Sequence, residues 1–261
     1  MNLKRLVVKV GTSLVARKEG LLDQERLARF ARELSEVRKQ GVDVVLVTSG
    51  AIAAGMGELG WKKRPSELSK KQAAAAVGQP RLMESYRYYF RQEGVSVAQV
   101  LLTREDFENR TRRENARATL FTLFKAGVIP IINENDTVAV EEIRVGDNDT
   151  LAALVAIQVK ADLLVLFTDV DGLMTVHPQD GPGELIPLVD KVNAHIEAIA
   201  HAVPGTEGGT GGMSTKIRAA KLATRQGVTL VIANGQKPGI LERILAHEAV
   251  GTRFLPATPR R

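Results

Sequence analysis

Lys9 is the first residue whose position suggests chemistry. It stands between Val8 and Val10 near the end of the apolar run 3–10, which has the β-branched composition of a buried strand. A buried lysine needs an anionic partner or a route to water, because an unpaired ammonium group is costly to desolvate. Either Lys9 meets an anion at the end of this strand, or the strand lies at a sheet edge and Lys9 points outward.

A glycine-rich section, 208–216, precedes a helical pattern and contains a second lysine, Lys216. Its four glycines let backbone N–H groups approach an anion closely, and the positive end of the following helix points there. It is not a P-loop, because that pattern has Gly before the lysine and Ser or Thr after it, whereas here Thr215 precedes and Ile217 follows. The alternative is a flexible surface loop with a solvent-facing lysine.

Three polar clusters lie where predicted strands end or helices begin: 133–136, 147–149 and 168–172. In open α/β sheets ligands bind beyond the carboxyl ends of the strands, so each cluster is a candidate ligand-contacting loop. Taken alone, Asp149 could be a helix N-cap and 133–136 a surface turn. The 168–172 cluster has too few oxygen ligands for an EF-hand loop, and a nucleotide-contacting loop or a turn fits it better.

Two other classes of site are excluded. Residues 55–60 match the dinucleotide fingerprint G-x-G-x-x-G, but they follow a helical segment and lack the acidic residue expected ~20 positions further on. The chain has no cysteine and only four histidines, which removes disulfides, thiolate metal sites and cysteine nucleophiles and leaves little for zinc. Ligands for any other metal cannot be assigned from the sequence.

Strands and helices alternate along the chain. The predicted strands cover 3–10, 42–47, 95–102, 128–132, 163–167 and 228–233, and the predicted helices cover 24–40, 51–54, 114–126, 150–159, 214–226 and 239–247. Asp23 is the expected N-cap of the first long helix and Gly41 its C-terminal stop. This alternation predicts an α/β fold with a mostly parallel sheet covered by helices on both faces.

Composition narrows the class of protein. A length of 261 residues suits one large domain or two modest ones, and 44% hydrophobic with 25% charged residues is typical of soluble globular chains. The apolar runs are far shorter than the ~18 residues that cross a bilayer, and no signal-peptide core is present. We therefore expect a cytoplasmic protein that does not enter a membrane.

The net charge of +6 would suit nucleic acid, a membrane surface or an anionic small substrate. The distribution of the charges along the chain favours an anionic small substrate. Residues 104–117 interleave five arginines with four acidic residues, which predicts a salt-bridged exposed face. Aromatic residues make up only 4% of the chain, so there is little to stack bases, and we expect no nucleic-acid partner.

Taken together, the motifs resemble those of the amino acid kinase family, and the resemblance covers nearly the whole chain. The motifs are VKVGTS at 8–13, VTSGAIAAG at 47–55, INEND at 132–136, VGDND at 145–149, TD at 168–169 and GTGGMSTK at 209–216. The Asn-Glu-Asn-Asp and Gly-Asp-Asn-Asp pair is similar to the members that phosphorylate the side-chain carboxylate of L-glutamate with ATP. Other members act on aspartate, acetylglutamate, carbamate or uridylate.

The resemblance implies a fold and a role for individual residues. The fold is a three-layer αβα sandwich with a mostly parallel central sheet. Lys9 and Lys216 would flank the transferring phosphoryl group, and Asp149 would orient them. Glutamate binding would fall to Ser49, Gly50, Asn133, Asp136 and Asn148, and ATP binding to Lys9, Gly11, Thr168, Asp169, Thr210, Gly211, Gly212, Met213, Ser214, Thr215 and Lys216. Mg²⁺ would bridge the ATP phosphates through protein ligands that we cannot name.

The same resemblance implies an organisation and partners. A glutamate-binding lobe would cover about 1–160 and a nucleotide-binding lobe about 161–261. The product would enter L-proline synthesis, with L-proline as feedback inhibitor, a homo-oligomeric assembly, and channelling of the labile product to glutamate 5-phosphate reductase. Many such members continue into a C-terminal PUA domain, which we do not expect here because the sequence ends soon after its last predicted elements.

Two alternatives remain open. One is another member of the same family, acting on acetylglutamate or uridylate. The other, from a different class, is a basic RNA-binding regulatory protein on the same scaffold, which would suit the high isoelectric point. The acceptor that is phosphorylated and the salt dependence of RNA binding discriminate among them.

Overall fold

A computed structural model describes residues 3–17, 20–139, 148–175, 183–201 and 212–257. The chain divides into two compact units, one formed by 10–145 and the other by 1–9 together with 146–261. Residues 1–9 and 146–160, which the prediction placed in the first lobe, thus belong to the same compact unit as 161–261. The assignment of glutamate to one lobe and nucleotide to the other stays a prediction.

The secondary structure alternates as the sequence predicts. In chain order the elements are β1 (Arg5–Val10), α1 (Thr12–Val15), α2 (Gln24–Lys39), β2 (Asp43–Val47), α3 (Ala51–Glu58), α4 (Leu68–Gln92), β3 (Val97–Leu102), α5 (Arg104–Glu108), α6 (Arg110–Lys125), β4 (Ile129–Glu134), α7 (Asn148–Gln158), β5 (Leu163–Thr168), β6 (Leu188–Val189), α8 (Ala194–His201), α9 (Met213–Arg225), β7 (Thr229–Asn234), α10 (Ile240–Leu245) and β8 (Thr252–Phe254). The predicted strands and helices are all present, with ends shifted by a few residues. The sequence analysis missed α1, α4, α5, α8 and the short strands β6 and β8.

In the unit 10–145 the strands follow the order β3-β4-β2 and are parallel. Leu46 pairs with Ile131 and Val97 with Ile129, so the carboxyl ends of the three strands lie at one edge. Helix α2 begins as predicted, because the Asp23 side chain accepts a hydrogen bond from the N–H of Arg26. Its apolar face is buried at helical spacing, which is why this segment is a helix.

Helices α3 and α4 of this unit pack with their backbones in contact. A Cβ atom added to Gly55 would lie 1.8 Å from the carbonyl oxygen of Ala74, and one added to Gly78 would lie 1.9 Å from that of Ala51. Only glycine permits this approach. Gly55, the first glycine of the 55–60 section, therefore serves helix packing, in agreement with the rejection of a dinucleotide loop there.

In the unit formed by 1–9 and 146–261 the strand order is β1-β5-β7-β8-β6. Strands β5 and β7 are parallel from Leu163 opposite Thr229 onward, and β8 is antiparallel to β7 and parallel to β6. The Asp162 carboxylate accepts from the backbone N–H groups of Lys4 and Arg5, both at 2.8 Å, and so ties the start of β1 to β5. Every residue of β5 is buried, as expected for a parallel strand covered on both faces.

The predicted salt-bridged face at 104–117 is confirmed. Arg104 pairs with Glu108 at 2.7 Å, and Arg117 pairs with Glu114 at 3.6 Å. Arg112 lies 3.5 Å from Asp106, which also closes a capping box at the start of α5. Among the described residues, no helix has both the length and the apolar character needed to cross a membrane.

Candidate active site

Three charged side chains meet in the unit formed by 1–9 and 146–261. Lys9 Nζ lies 2.7 Å from Asp149 Oδ1, and Lys216 Nζ lies 3.0 Å from Asp149 Oδ2. Lys9 comes from the end of β1, Asp149 from the first turn of α7 and Lys216 from the first turn of α9. The structure thus gives Lys9 an anionic partner, and it places Lys216 in a buried ion pair instead of at a solvent-facing loop.

These three groups are almost completely withdrawn from water. Asp149 is 0% exposed, Lys216 is 4% exposed and Lys9 is 6% exposed. Burial alone would raise the pKa of the Asp149 carboxyl, but the ammonium groups of Lys9 and Lys216 oppose this and hold that pKa below its usual range. Two ammonium groups and one carboxylate leave one net positive charge, so the cluster attracts an anion.

The start of α9 adds polar groups beside the cluster. The Thr215 hydroxyl lies 2.9 Å from Asp149 Oδ2 and 2.7 Å from the carbonyl oxygen of Gly212, so it can donate to either. Gly212 is the N-cap and has no side chain with which to cap the first-turn N–H groups. Met213 is buried and Ser214 is half-buried. Thr210 and Gly211 lie outside the described residues, as does 145–147 of the VGDND motif.

The loops that follow β5 and β7 in this unit are tied to one another. Thr168 ends β5 and donates to Asp169 Oδ1 at 3.1 Å. Asn234 ends β7, opposite Thr168, and donates from Nδ2 to Asp171 Oδ1 at 2.9 Å. The Lys237 ammonium group, and after it the Asn234 amide, lower the pKa of Asp171 by hydrogen bonding. The sequence analysis missed Asn234 and Lys237, although Asn234 directly follows an apolar strand pattern.

The unit 10–145 places four of the predicted glutamate residues at the carboxyl edge of its sheet. Ser49 and Gly50 follow β2, whereas Asn133 and Asp136 lie at the end of the parallel neighbour β4 and just beyond it. The N–H of Thr48 donates to the carbonyl of Ile132 at 2.9 Å and continues the pairing into this loop. Gly11, predicted to contact ATP, is half-buried at the N-cap of α1.

Gly50 has a backbone conformation that requires glycine. Its φ angle is 103°, and an added Cβ atom would lie 2.6 Å from Val15 Cγ2. Gly50 is the N-cap of α3, so the loop turns sharply from β2 into that helix.

Two helix α4 side chains reach these loops and were missed by sequence reasoning. Gln79 accepts a hydrogen bond from Asn133 Nδ2 at 2.8 Å. The Tyr86 hydroxyl lies 2.8 Å from Thr48 Oγ1, with both residues 0% exposed. The spacing of Leu82, Tyr86 and Phe90, four residues apart, was the signal that could have revealed this helix.

A cavity of about 410 Å³ opens beside the loop after β4. Thr103, Arg104, Asp106, Arg112, Glu134 and Asn135 are among its lining residues. None of the predicted glutamate residues lines it, so the cavity does not bear on those assignments.

The described residues contain no group of three or more His, Asp or Glu side chains that could hold a metal ion such as Mg²⁺. Mg²⁺ usually keeps several waters and is bound by one or two carboxylates together with substrate phosphates. A magnesium ion carried mainly by a nucleotide would therefore need few protein ligands.

Comparison with known proteins identifies the family of this chain. A family model described as the amino acid kinase family matches residues 4–234. The glutamate 5-kinase of Moorella thermoacetica is 53% identical over 258 residues, which cover 98% of this chain and 68% of that protein. The glutamate 5-kinase of Clostridium acetobutylicum is 47% identical over 256 residues, which cover 98% of this chain and 96% of that protein.

A solved structure confirms the fold class. The UMP kinase from Bacillus anthracis aligns with a TM-score of 0.66 at 15% identity, over 99% of this chain and 98% of that chain. This likeness concerns the fold alone and confirms the three-layer αβα sandwich with a mostly parallel central sheet. With the described parts of its motifs at strand ends and helix starts, and with a family model that matches most of its length, this chain belongs to the amino acid kinase family.

Proposed function

We propose that this protein transfers the γ-phosphoryl group of ATP to the side-chain carboxylate of L-glutamate, giving L-glutamate 5-phosphate and ADP. The observation that carries the proposal is the buried Lys9–Asp149–Lys216 cluster with its net positive charge. Relatives named glutamate 5-kinase, about half identical over nearly the whole chain, supply the acceptor. In this role the enzyme performs the first step of L-proline biosynthesis.

The reaction depends more on stabilisation of negative charge than on acid–base catalysis. A carboxylate oxygen of glutamate attacks the γ-phosphorus, and the bond from that phosphorus to the oxygen that bridges the β- and γ-phosphates breaks. A glutamate side chain titrates near ~4.3, so the nucleophile is already ionised at neutral pH and needs no catalytic base. Lys9 and Lys216 stabilise negative charge on the transferring group and the leaving phosphate.

Asp149 holds both lysines in place. Lys216 donates to one of its carboxylate oxygens, and the Lys9 ammonium group forms an ion pair with the other, so each lysine is oriented by a separate contact. Because Asp149 is fully buried and ionised, these contacts are not exchanged for water. This preorganisation lowers the reorganisation that charge transfer would otherwise require.

We assign ATP binding to the start of α9 and the loop after β5. First-turn N–H groups of α9 suit phosphate oxygens, and its N-cap glycine allows close approach. The proposed contacts are Lys9, Gly11, Thr168, Asp169, Thr210, Gly211, Gly212, Met213, Ser214, Thr215 and Lys216. Mg²⁺, when bound with the nucleotide, neutralises phosphate charge.

We assign glutamate binding to Ser49, Gly50, Asp136, Asn148 and, indirectly, Asn133. The half-buried Asp136 carboxylate suits the substrate ammonium group, and Ser49 with neighbouring amides suits its carboxylates. Asn148 is half-buried as the first residue of α7. Asn133 is only 2% exposed, so its contribution comes through the loop that it supports.

The test is ATP turnover with L-glutamate, Mg²⁺ and hydroxylamine, which traps an acyl phosphate as its hydroxamate. Aspartate, acetylglutamate and uridylate serve as parallel acceptors. We expect hydroxamate from glutamate alone. No product from glutamate with folded protein contradicts the proposal, and a product from another acceptor would keep the family and overturn the substrate.

Further properties follow from this proposed reaction and stay predictions. An acyl phosphate is labile, which favours transfer to a reductase such as glutamate 5-phosphate reductase. L-proline as the end product is the expected feedback inhibitor. A homo-oligomeric assembly and a cytoplasmic location belong to the same proposal.

A further inference from the structure

Gln79 of α4 lies at the centre of a chain of side-chain amides in the unit 10–145. Asn133 Nδ2 donates to Gln79 Oε1 at 2.8 Å, and Gln79 Nε2 donates to Gln99 Oε1 at 3.0 Å. Gln79 is 8% exposed and Asn133 is 2% exposed, whereas Gln99 is exposed on β3. The chain of amides therefore connects α4 with β4 and β3.

A backbone group determines how all three amides are oriented. The N–H of Glu134 can only donate, so the atom of Asn133 that it meets at 2.9 Å is Oδ1. Asn133 Nδ2 must then face Gln79, which presents Oε1. Gln79 Nε2 in turn faces Gln99, which presents its own Oε1. Removing the Gln79 carboxamide takes this acceptor away from a buried amide and favours a reorientation of Asn133.

The orientation of the Asn133 side chain affects the backbone of the turn that follows β4. Its side chain fixes the N–H of Glu134, and the next N–H, that of Asn135, donates to the carbonyl of Leu102 at 3.0 Å. Asp136 comes directly after these two anchored residues. A change in the Asn133 amide therefore moves the carboxylate assigned to the substrate ammonium group, and small displacements of a positioned group are costly in binding and rate.

We propose that Gln79 is a positioning residue for glutamate, acting through Asn133 on the turn that carries Asp136. The inference rests on the proposed function of the chain. Gln79 itself does not touch substrate in this scheme.

The first test is Gln79→Met, which keeps the length of the side chain and removes both hydrogen bonds. We expect the KM for glutamate to rise by about fivefold to tenfold, while kcat and the KM for ATP stay within about twofold. A matched control is Ser35→Ala, which removes a buried hydroxyl from α2 of the same unit. This control should leave both KM values unchanged.

A double-mutant cycle separates positioning from a general structural role. If Gln79 acts through Asn133, the variant with both Gln79→Met and Asn133→Ala has the same glutamate KM as Asn133→Ala alone. If the two effects multiply, Gln79 acts by another route and the proposal is overturned.

The remaining outcomes distinguish a failure of the proposed function from a failure of the inference about Gln79. An unmodified chain that forms no hydroxamate from glutamate overturns both the proposed function and this inference. An active parent with an unchanged glutamate KM in Gln79→Met overturns the inference alone. If Gln79→Met does not fold, the test uses Gln99→Met instead, because Gln99 is exposed and accepts the hydrogen bond from Gln79. It should raise the glutamate KM about twofold to threefold, and no rise rejects the proposal.

Discussion

At the scale of single residues, Asp149 determines the charge balance of the candidate active site. A buried carboxylate is unfavourable by itself, and each of its lysine partners would be unfavourable without it. The three together are tolerated because each ammonium group lies within 3.0 Å of a separate carboxylate oxygen. Their excess positive charge is then held ready for a phosphate group.

Asp149→Asn should lower the free energy of unfolding at pH 7 by about 3 kcal/mol or more, because two buried ammonium groups lose their counter-charge. The folded-state pKa of Asp149 is lowered, so its charge contributes fully above the unfolded pKa of about 4 and progressively less below it. Urea unfolding of parent and variant at pH 7 and pH 3 should therefore show a smaller difference at pH 3.

The control for this prediction is Asp171→Asn. Asp171 also has a lowered pKa, but its side chain is 49% exposed in its ion pair with Lys237. Because exposed pairs contribute little, this variant should lose less than about 1 kcal/mol at pH 7. A difference between parent and Asp149→Asn that stays constant or grows toward pH 3 contradicts the assigned pKa direction.

Lys216→Ala should lower kcat by about 10²- to 10³-fold, because it removes a positioned charge from the transferring phosphoryl group. Asp149 keeps its contact with Lys9, so the variant should fold, which circular dichroism and a melting curve would show. Lys221→Ala is the matched control on the same helix, since Lys221 pairs with Glu197 and is partly exposed. It should leave turnover unchanged, and near-normal turnover in folded Lys216→Ala removes that lysine from the mechanism.

At the scale of elements, helix α4 supports the loops assigned to glutamate. It reaches the loop after β4 through Gln79 and the loop after β2 through Tyr86. Burial raises the pKa of Tyr86 more than its hydrogen bond with Thr48 lowers it, so the phenol stays protonated and available for that bond. The close crossing of α3 and α4 at Gly55 and Gly78 holds α4 in place.

Gly78→Ala should destabilise the protein by more than about 2 kcal/mol, although alanine is the better helix former by about 1 kcal/mol. The added Cβ atom would meet the Ala51 carbonyl oxygen and force the two helices apart. Ala76→Ser on the exposed side of the same helix is the control, with an expected change below about 0.5 kcal/mol. Thermal unfolding measures both, and a stabilised Gly78→Ala would contradict the close crossing.

At the scale of the whole molecule, the net charge of +6 does not form a continuous phosphate-binding surface within 104–117, where arginines pair with neighbouring carboxylates. The charge that matters for the proposed substrates is the small buried excess at Lys9, Asp149 and Lys216. We attribute the high isoelectric point to surface composition.

The chain should therefore show no specific affinity for single-stranded RNA at physiological ionic strength. Fluorescence anisotropy with a labelled RNA over a range of salt concentrations is the measurement. Weak binding that disappears with modest salt agrees with this prediction. Tight binding with a steep linear dependence of log K on log salt would support the RNA-binding alternative instead.

Much of the fold follows from local pattern. The continuous apolar run 163–167 predicted β5, and the helical spacing of Leu27, Phe30 and Leu34 predicted α2. Both signals work because the pattern of burial within one element depends on residues close in sequence. The sequence analysis did not predict helix α4, because Gly78 and Pro80 are typical helix breakers. Its small residues make sense only against the backbone of α3.

For the candidate site too, part could be predicted from the sequence and part required the tertiary structure. The sequence by itself determined which residues carry charged and amide groups. The order of the motifs indicated the family, and the resemblance to that family implied that Lys9, Asp149 and Lys216 act in one site. The resemblance implied that Asp149 orients both lysines, but only the tertiary structure showed that each lysine meets a separate oxygen of this carboxylate and that Asn133 contacts Gln79. Such contacts join residues far apart in the chain, and strand order and helix packing set their geometry, which no local pattern encodes.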